Sequence, residues 1–424
     1  MSVSFHSQTL LSYVASAASS APLYTLEGLR SADPVLGLAL LMIVALVAGE
    51  LVHRLTRLPR AVGQMLVGAL ASPLAMRLLD RTDLDPWKPL IDLAVGMLVF
   101  ELGSRIRPRW LIDNPWLTLS CICEAVFAGL AVTWALMLLG APAYSAVLAG
   151  AVAMSTSPVI TMTVIHEAQP RGQVTERVLM MAALNSVLAV LALKAWRVVV
   201  SADAAAPGVD WQPALVNAVY VLAGSFLLGA AAGIALTYLA RWVPRSTTSL
   251  AVLQIALVVL AAMLAAQWML SPLLALLLAG VVARARMSHH LTVEPQLGSA
   301  GAALTVLLFL SIGVLSTLDD LVRLWPWVLA ILLARLLGKA AAVFALARPS
   351  GLGWHQAAAL TLALQPMTNV AVLLAATTFG WPGETPAPDA AMLQSLLIAT
   401  TLMQLSGPWW TQLGLSTIAR ETKG

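Results

Sequence analysis

Apolar residues in this chain come in long runs broken by short polar connections. A helix needs about 20 such residues to cross ~30 Å of hydrocarbon, fewer where protein neighbours help. The runs fall at Val35–Val52, Ala61–Leu79, Leu90–Gly103, Pro115–Leu139, Pro142–Ile165, Val178–Val200, Ala214–Ala240, Ser249–Trp268, Pro272–Ala283, Ala300–Leu315, Trp325–Ala347, Gln356–Phe379 and Ala390–Leu413. Taken in order as spans 1 to 13, they predict an all-α, polytopic membrane protein of about 13 transmembrane helices. Spans 3 and 9 are short, and spans 8 and 9 could form one long helix broken near Ser271-Pro272.

The charges between the runs decide that point. One alternate set of connections carries Arg54, Arg57 and Arg60, then Arg105, Arg107 and Arg109, Arg171 and Arg177, Arg241 and Arg245, Arg284 and Arg286, Arg348, and Arg420 with Lys423, which is 15 of the 24 Lys and Arg. The other set holds Arg30, Arg77, Arg81, Lys88, Arg197 and Arg323. Fusing spans 8 and 9 would move Arg284 and Arg286 to the poor side. The positive-inside rule therefore predicts separate spans, an outside N-terminus and a cytoplasmic C-terminus in the cell (inner) membrane. Trp87, Trp110, Trp116, Trp325, Trp354, Trp381, Trp409 and Trp410 fall at the predicted interfaces, where amphipathic rings are favoured.

Composition agrees. Residues are 60% hydrophobic and 10% charged, against about a quarter charged in soluble domains, so the lipid bilayer is a partner. The net charge of +4 reads as a topology signal rather than a nucleic-acid surface. Cys121 and Cys123 are two apart and do not face each other on a helix, and His289-His290 reads as a loop, so no metal site or cofactor is expected. No Walker loop, GxGxxG or catalytic-triad spacing is present, which argues against an ATP-driven pump or an enzyme. Residues 1–34 carry no basic n-region and read as a non-core segment rather than a signal peptide.

Two spans are interrupted at mid-membrane, span 5 by Ser155-Thr156-Ser157-Pro158 and span 12 by Gln365-Pro366-Met367-Thr368-Asn369. Proline removes a donor and frees a carbonyl, and neighbouring hydroxyls and amides can satisfy it. With span 7 as linker (201–247), spans 1–6 (35–200) and 8–13 (248–415) form two halves, followed by a tail, 416–424. The breaks are then the fifth helix of each half, running in opposite directions. That predicts two inverted repeats with broken helices crossing at the midplane, the arrangement that marks a transporter site.

Intramembrane charges lie beside the breaks. Glu124 is inside span 4, and Arg335 and Lys339 share one face of span 11. They are titratable candidates, with a structural ion pair that locks helix packing as the alternative. Asn185-Ser186 places polar groups mid-depth in span 6. Ser155, Thr156, Ser157, Asn185, Ser186, Gln365, Thr368 and Asn369 are the candidate ion-binding residues. Glu50, Asp92 and Glu101, near span ends, are expected to reach the interface, and Lys194 to snorkel.

Several segments together resemble the monovalent cation:proton antiporter superfamily: Arg57-Leu58-Pro59-Arg60-Ala61-Val62-Gly63, Leu98-Val99-Phe100-Glu101-Leu102-Gly103, Ser155-Thr156-Ser157-Pro158, the stretch ending Gly338-Lys339, and Leu364-Gln365-Pro366-Met367. The resemblance runs from about Val35 to Leu413. It implies a homodimer with a scaffold and a mobile core of spans 4–6 and 11–13, moving as an elevator to exchange protons for sodium or potassium. It also exposes a departure. The family's helix after the first break carries Asn-Asp or Asp-Asp, and here the Asp position is Ser186, which does not titrate in the physiological range. Three readings follow: Glu124 takes over as the titratable carboxylate; Lys339 alone titrates and the cargo is an anion or an organic solute; or the protein is a non-transporting sensor or partner subunit.

Overall fold

The structure is a computed structural model. It describes residues 34–419 apart from 73–74, 77, 80–83, 85, 107–111, 204–210, 244–246, 287–297, 317, 319 and 369–386. The expectations for the N-terminal segment, for Asn369 and for most of the C-terminal tail lie outside the described residues.

The elements are α1 Pro34–Thr56, α2 Arg60–Ala71, α3 Lys88–Arg105, α4 Pro115–Leu138, α5 Ala143–Ala153, α6 Pro158–Ala168, α7 Gln173–Asp203, α8 Trp211–Leu239, α9 Thr247–Gln267, α10 Pro272–Arg286, α11 Gly298–Val314, α12 Leu321–Ala345, α13 Trp354–Ala363 and α14 Ala387–Gln412, the last running into a π-helical turn, Leu413–Ile418. No strand occurs among the described residues. Among the described residues, eight candidate spans are long and apolar enough to cross a membrane, and large apolar side chains such as Ile43, Leu227 and Met263 face outward. The protein is a multi-pass membrane protein. α9 and α10 are separate helices, parted by a turn in which Met269 takes a φ of 55°.

Helix pairing follows a pattern. α4 packs along α12, α2 on α11, and α3 on α10. The latter two crossings are backbone-close. A Cβ on Gly68 would lie 2.1 Å from Leu310 O, and one on Gly313 2.2 Å from Met65 O. At the other crossing, a Cβ on Gly103 would lie 2.0 Å from Leu277 O, and one on Gly280 2.1 Å from Phe100 O. Small residues let membrane helices approach this closely, which replaces the hydrophobic drive that lipid does not supply. Gly140 and Gly351, at φ 78° and 80°, turn the chain between α4 and α5 and between α12 and α13. Glycine tolerates that left-handed backbone without strain.

The first interruption falls where the sequence predicts, and a helix stops where the second is expected; the rest of span 12, from 369 to Phe379, lies outside the described residues. Met154–Ser157 separates α5 from α6, and the chain leaves helix again after α13, from Leu364 to Thr368. Pro158 opens α6 at its first turn, where its missing N–H costs nothing, and Ser157 Oγ accepts from Ile160 N at 3.4 Å.

Candidate functional site

The two interruptions are bonded to each other. Ser157 N donates to Pro366 O at 2.8 Å, and Thr156 Oγ1 donates to Leu364 O at 3.3 Å. Each break thus satisfies backbone groups that the other frees, which a bilayer interior requires.

Arg335, fully buried on α12, ties them together. Its Nε donates to Ala153 O at 2.9 Å and its Nη2 to Ser155 O at 2.8 Å and Leu364 O at 3.2 Å. Its Nη1 donates to Gln365 O at 2.5 Å and Gln365 Oε1 at 3.1 Å. The carbonyls belong to the C-terminal ends of α5 and α13, each carrying about half a negative charge. Two such ends offset one guanidinium, whose planar fork reaches several acceptors at once. Gln365 is held in turn by its Nε2 donating to Thr361 O at 2.8 Å.

Glu124 on α4 and Lys339 on α12, one turn beyond Arg335, pair directly through Oε1 and Nζ, both fully buried. Lys339 Nζ also donates to Thr156 Oγ1 at 3.2 Å. Asn185 Nδ2 on α7 donates to Glu124 Oε2 at 2.8 Å and Thr156 Oγ1 at 3.0 Å. Thr156 is therefore the hub, accepting from Lys339 and Asn185 while donating across to the other break. Ser186 Oγ donates to Thr156 O at 3.2 Å and Ala182 O at 2.9 Å. Asn185 Oδ1 is buried and unpartnered, an acceptor oxygen left beside the carboxylate. With Arg335 offset by helix ends and Glu124 by Lys339, the cluster is close to neutral.

The candidate residues thus converge, with distinctions the sequence did not draw. Glu124, Thr156, Asn185 and Lys339 form one cluster, and Ser186 joins it through backbone. Arg335 does not pair with Glu124, and its partners are carbonyls and Gln365. Ser155 contributes its carbonyl to Arg335, while its hydroxyl caps Val152 O at 2.7 Å. Ser157 serves as the cap of α6, and Thr368 is buried at the edge of the second break. Among the described residues no His, Cys, Asp or Glu group could hold a metal, and both cysteines are free.

One group was underestimated. Glu101, expected to reach the interface, is covered by its neighbours: it is 3% exposed, accepting from Arg105 Nη2 at 2.8 Å and contacting His166 Nε2 at 2.5 Å. Next to it, Glu167 accepts from Arg60 N at 2.9 Å and from Arg60 Nη1 at 3.3 Å, and approaches His53 Nδ1 at 3.5 Å. The end of the broken helix α6 is thus clasped by α1, α2 and α3. Glu50, by contrast, meets Arg54 and Arg60 at the surface as expected.

An interrupted helix, and the end of a second helix bonded to the break and closed with it around buried charges in a multi-pass helical bundle, fit a secondary transporter rather than an enzyme. Residues 39–412 match the model of the sodium/hydrogen exchanger, transmembrane, family, and the chain belongs to that family. Two structures of the sodium proton antiporter MjNhaP1 from Methanocaldococcus jannaschii share the fold. The one at pH 8 has 14% identity and a TM-score of 0.60, covering 91% of this chain and 98% of that one. The electron-microscopy map has 14% identity and a TM-score of 0.62, covering 91% and 97%. No match was found among curated proteins.

Proposed function

We propose that this protein exchanges protons for a monovalent cation, Na⁺ or K⁺, with Glu124 as the cation-binding carboxylate and Lys339 as its competitor. The single observation behind this is the contact between Glu124 and Lys339, fully buried among Thr156 and Asn185. A charge added to such a site without compensation is costly. A cation docking on Glu124 must therefore displace the ammonium, and the site keeps its charge only if Lys339 then gives up its proton. Cation and proton cannot both be held, so each crossing carries one or the other. The free Asn185 Oδ1 and the Thr156 oxygens supply neutral oxygen ligands of the kind alkali cations take. Ser186 cannot take the carboxylate's part, but it fixes the Thr156 backbone.

The same reading takes α4–α7 and α12–α14 as a mobile core and α1–α3 with α8–α11 as scaffold, moving as an elevator. The matched glycine crossings, α2 on α11 and α3 on α10, and the matched turns at Gly140 and Gly351 support an inverted-repeat origin. The arginine-rich helix ends support a cytoplasmic C-terminus in the inner membrane. The proposed assembly is a homodimer joined through the scaffold.

The test is reconstitution into liposomes holding a pH dye. With a pH gradient imposed, external Na⁺ or K⁺ restores the dye signal in wild type and not in Glu124→Gln. Exchange that survives in Glu124→Gln contradicts the proposal.

A further inference from the structure

The scaffold turn between α1 and α2 is bonded to the core at two places. Arg57 O accepts from Gln412 Nε2, at the end of α14, at 2.8 Å. Arg60 N donates to both carboxylate oxygens of Glu167, near the end of α6, at 2.9 and 3.0 Å, and Arg60 Nη1 adds a bond at 3.3 Å. α6 belongs to the first half of the chain and α14 to the second. One short turn therefore holds both halves of the core.

The turn is built stiff. Arg57 N donates to His53 O at 2.9 Å, and His53 Nδ1 meets Leu58 O at 2.8 Å. Pro59, at a φ of −56°, fixes its own backbone and disfavours helix at Leu58. The turn is also strained. Arg57 takes a φ of 58°, a left-handed backbone that costs any residue with a side chain. Such strain persists only where the surroundings impose it, and it gathers at switching segments. On the other side of the contact, Gln412 is the last α-helical residue before the π-helical turn Leu413–Ile418, an irregularity frequent at functional sites. The two local outliers meet in one hydrogen bond.

Further along, the same two core helices meet the scaffold through apolar side chains. Ile160 and Val164 of α6 and Leu405 of α14 cluster with Ala61 and Met65 of α2 and Phe309 of α11. Apolar contact is non-directional, so it sets no single register between core and scaffold, whereas the hydrogen bonds at the turn do. We propose that the Arg57–Arg60 turn is a latch. It holds the core in the position it has in this structure, and the core slides only when the turn releases Gln412 and Glu167 together. The latch rests on the mobile-core reading above and is independent of which ion moves.

The test is double electron–electron resonance on the full-length protein carrying Cys121→Ala and Cys123→Ala, spin-labelled at Leu138→Cys on α4 of the core and at Met269→Cys between α9 and α10 of the scaffold. Both positions are exposed and lie at the end of the bundle opposite the latch, so fraying of the turn alone does not move them. Release of the latch appears as a second distance. Glu167→Gln combined with Gln412→Met should raise the ratio of the second population to the first at least about tenfold. Arg57→Gly, which removes the strain of the latched turn, should lower that ratio again when added to Glu167→Gln. If the unlatched distance is present without these changes and the combined variant leaves the ratio unaltered, the latch is overturned and the mobile core stands. A single distance in every variant, with and without Na⁺, overturns the mobile core and the latch with it.

Discussion

Glu124 on α4 and Lys339 on α12 meet head to head, both fully buried, with Thr156 of the first broken helix bonded to the lysine and Asn185 of α7 to the carboxylate. Removing one partner of a buried pair strands the other charge and costs about 3–5 kcal/mol, whereas removing both together is often close to neutral. Glu124→Gln should therefore lower the melting temperature clearly. Glu124→Gln combined with Lys339→Met should recover most of it while remaining unable to exchange ions. Thermal unfolding in detergent, read beside transport, separates the two effects; a double variant as unstable as the single one would contradict the pairing.

Arg335 has a different task. It offsets the C-terminal ends of α5 and α13 and holds the crossing closed. Lysine keeps the charge but not the fork. Arg335→Lys should thus cost about 2–4 kcal/mol, comparable to losing several charge-assisted hydrogen bonds. Arg335→Gln should cost more. Melting curves of both variants, with wild-type Lys339 as internal control, check the order.

The scaffold crossings should be intolerant of any side chain. A Cβ at Gly103 would lie 2.0 Å from Leu277 O and one at Gly313 2.2 Å from Met65 O. Both contacts are with backbone, so the helices must separate. Gly103→Val and Gly313→Val should each destabilise by about 1–3 kcal/mol or more, whereas Gly140, with nothing within 4 Å of its Cβ, should show only the strain of its positive φ. Expression level and melting temperature of the three variants give the comparison.

The clasp at the end of α6 predicts a conformational effect. Glu101 on α3 holds both Arg105 and His166, and Glu167 holds Arg60. Movement of α6 past α3 and α2 must break the Glu101–His166 and Glu167–Arg60 contacts. Glu101→Gln should broaden the distance distribution between spin labels on α3 and α6, with the central cluster intact. An unchanged distribution would show that the two helices move together.

Much of this was readable in the chain, because lipid imposes a simple rule. Backbone groups must be satisfied within the span, so Ser155-Thr156-Ser157-Pro158 and Gln365-Pro366, each a simple kink if taken alone, read as breaks with polar partners once they fall in matching places of the two halves. Glu124, Arg335 and Lys339 stood out because charge is scarce in apolar runs. What was not readable was pairing. Arg335 and Lys339 lie four apart on one face, and nothing in sequence says that one meets carbonyls and the other a carboxylate; that depends on how the two breaks cross. The burial of Glu101 was hidden for a related reason. Its span end is an interface in one dimension, but His166, 65 residues away, covers it in three.

The most direct test of the central claim is proton release on cation binding. The purified protein, weakly buffered with a pH indicator, receives Na⁺ or K⁺ at constant ionic strength. If a cation displaces Lys339 from Glu124, wild type should release about one proton per chain at saturation, and neither Glu124→Gln nor Lys339→Met should release any. Release of the same size from Glu124→Gln, or saturable cation binding to wild type with no proton released, would contradict the account.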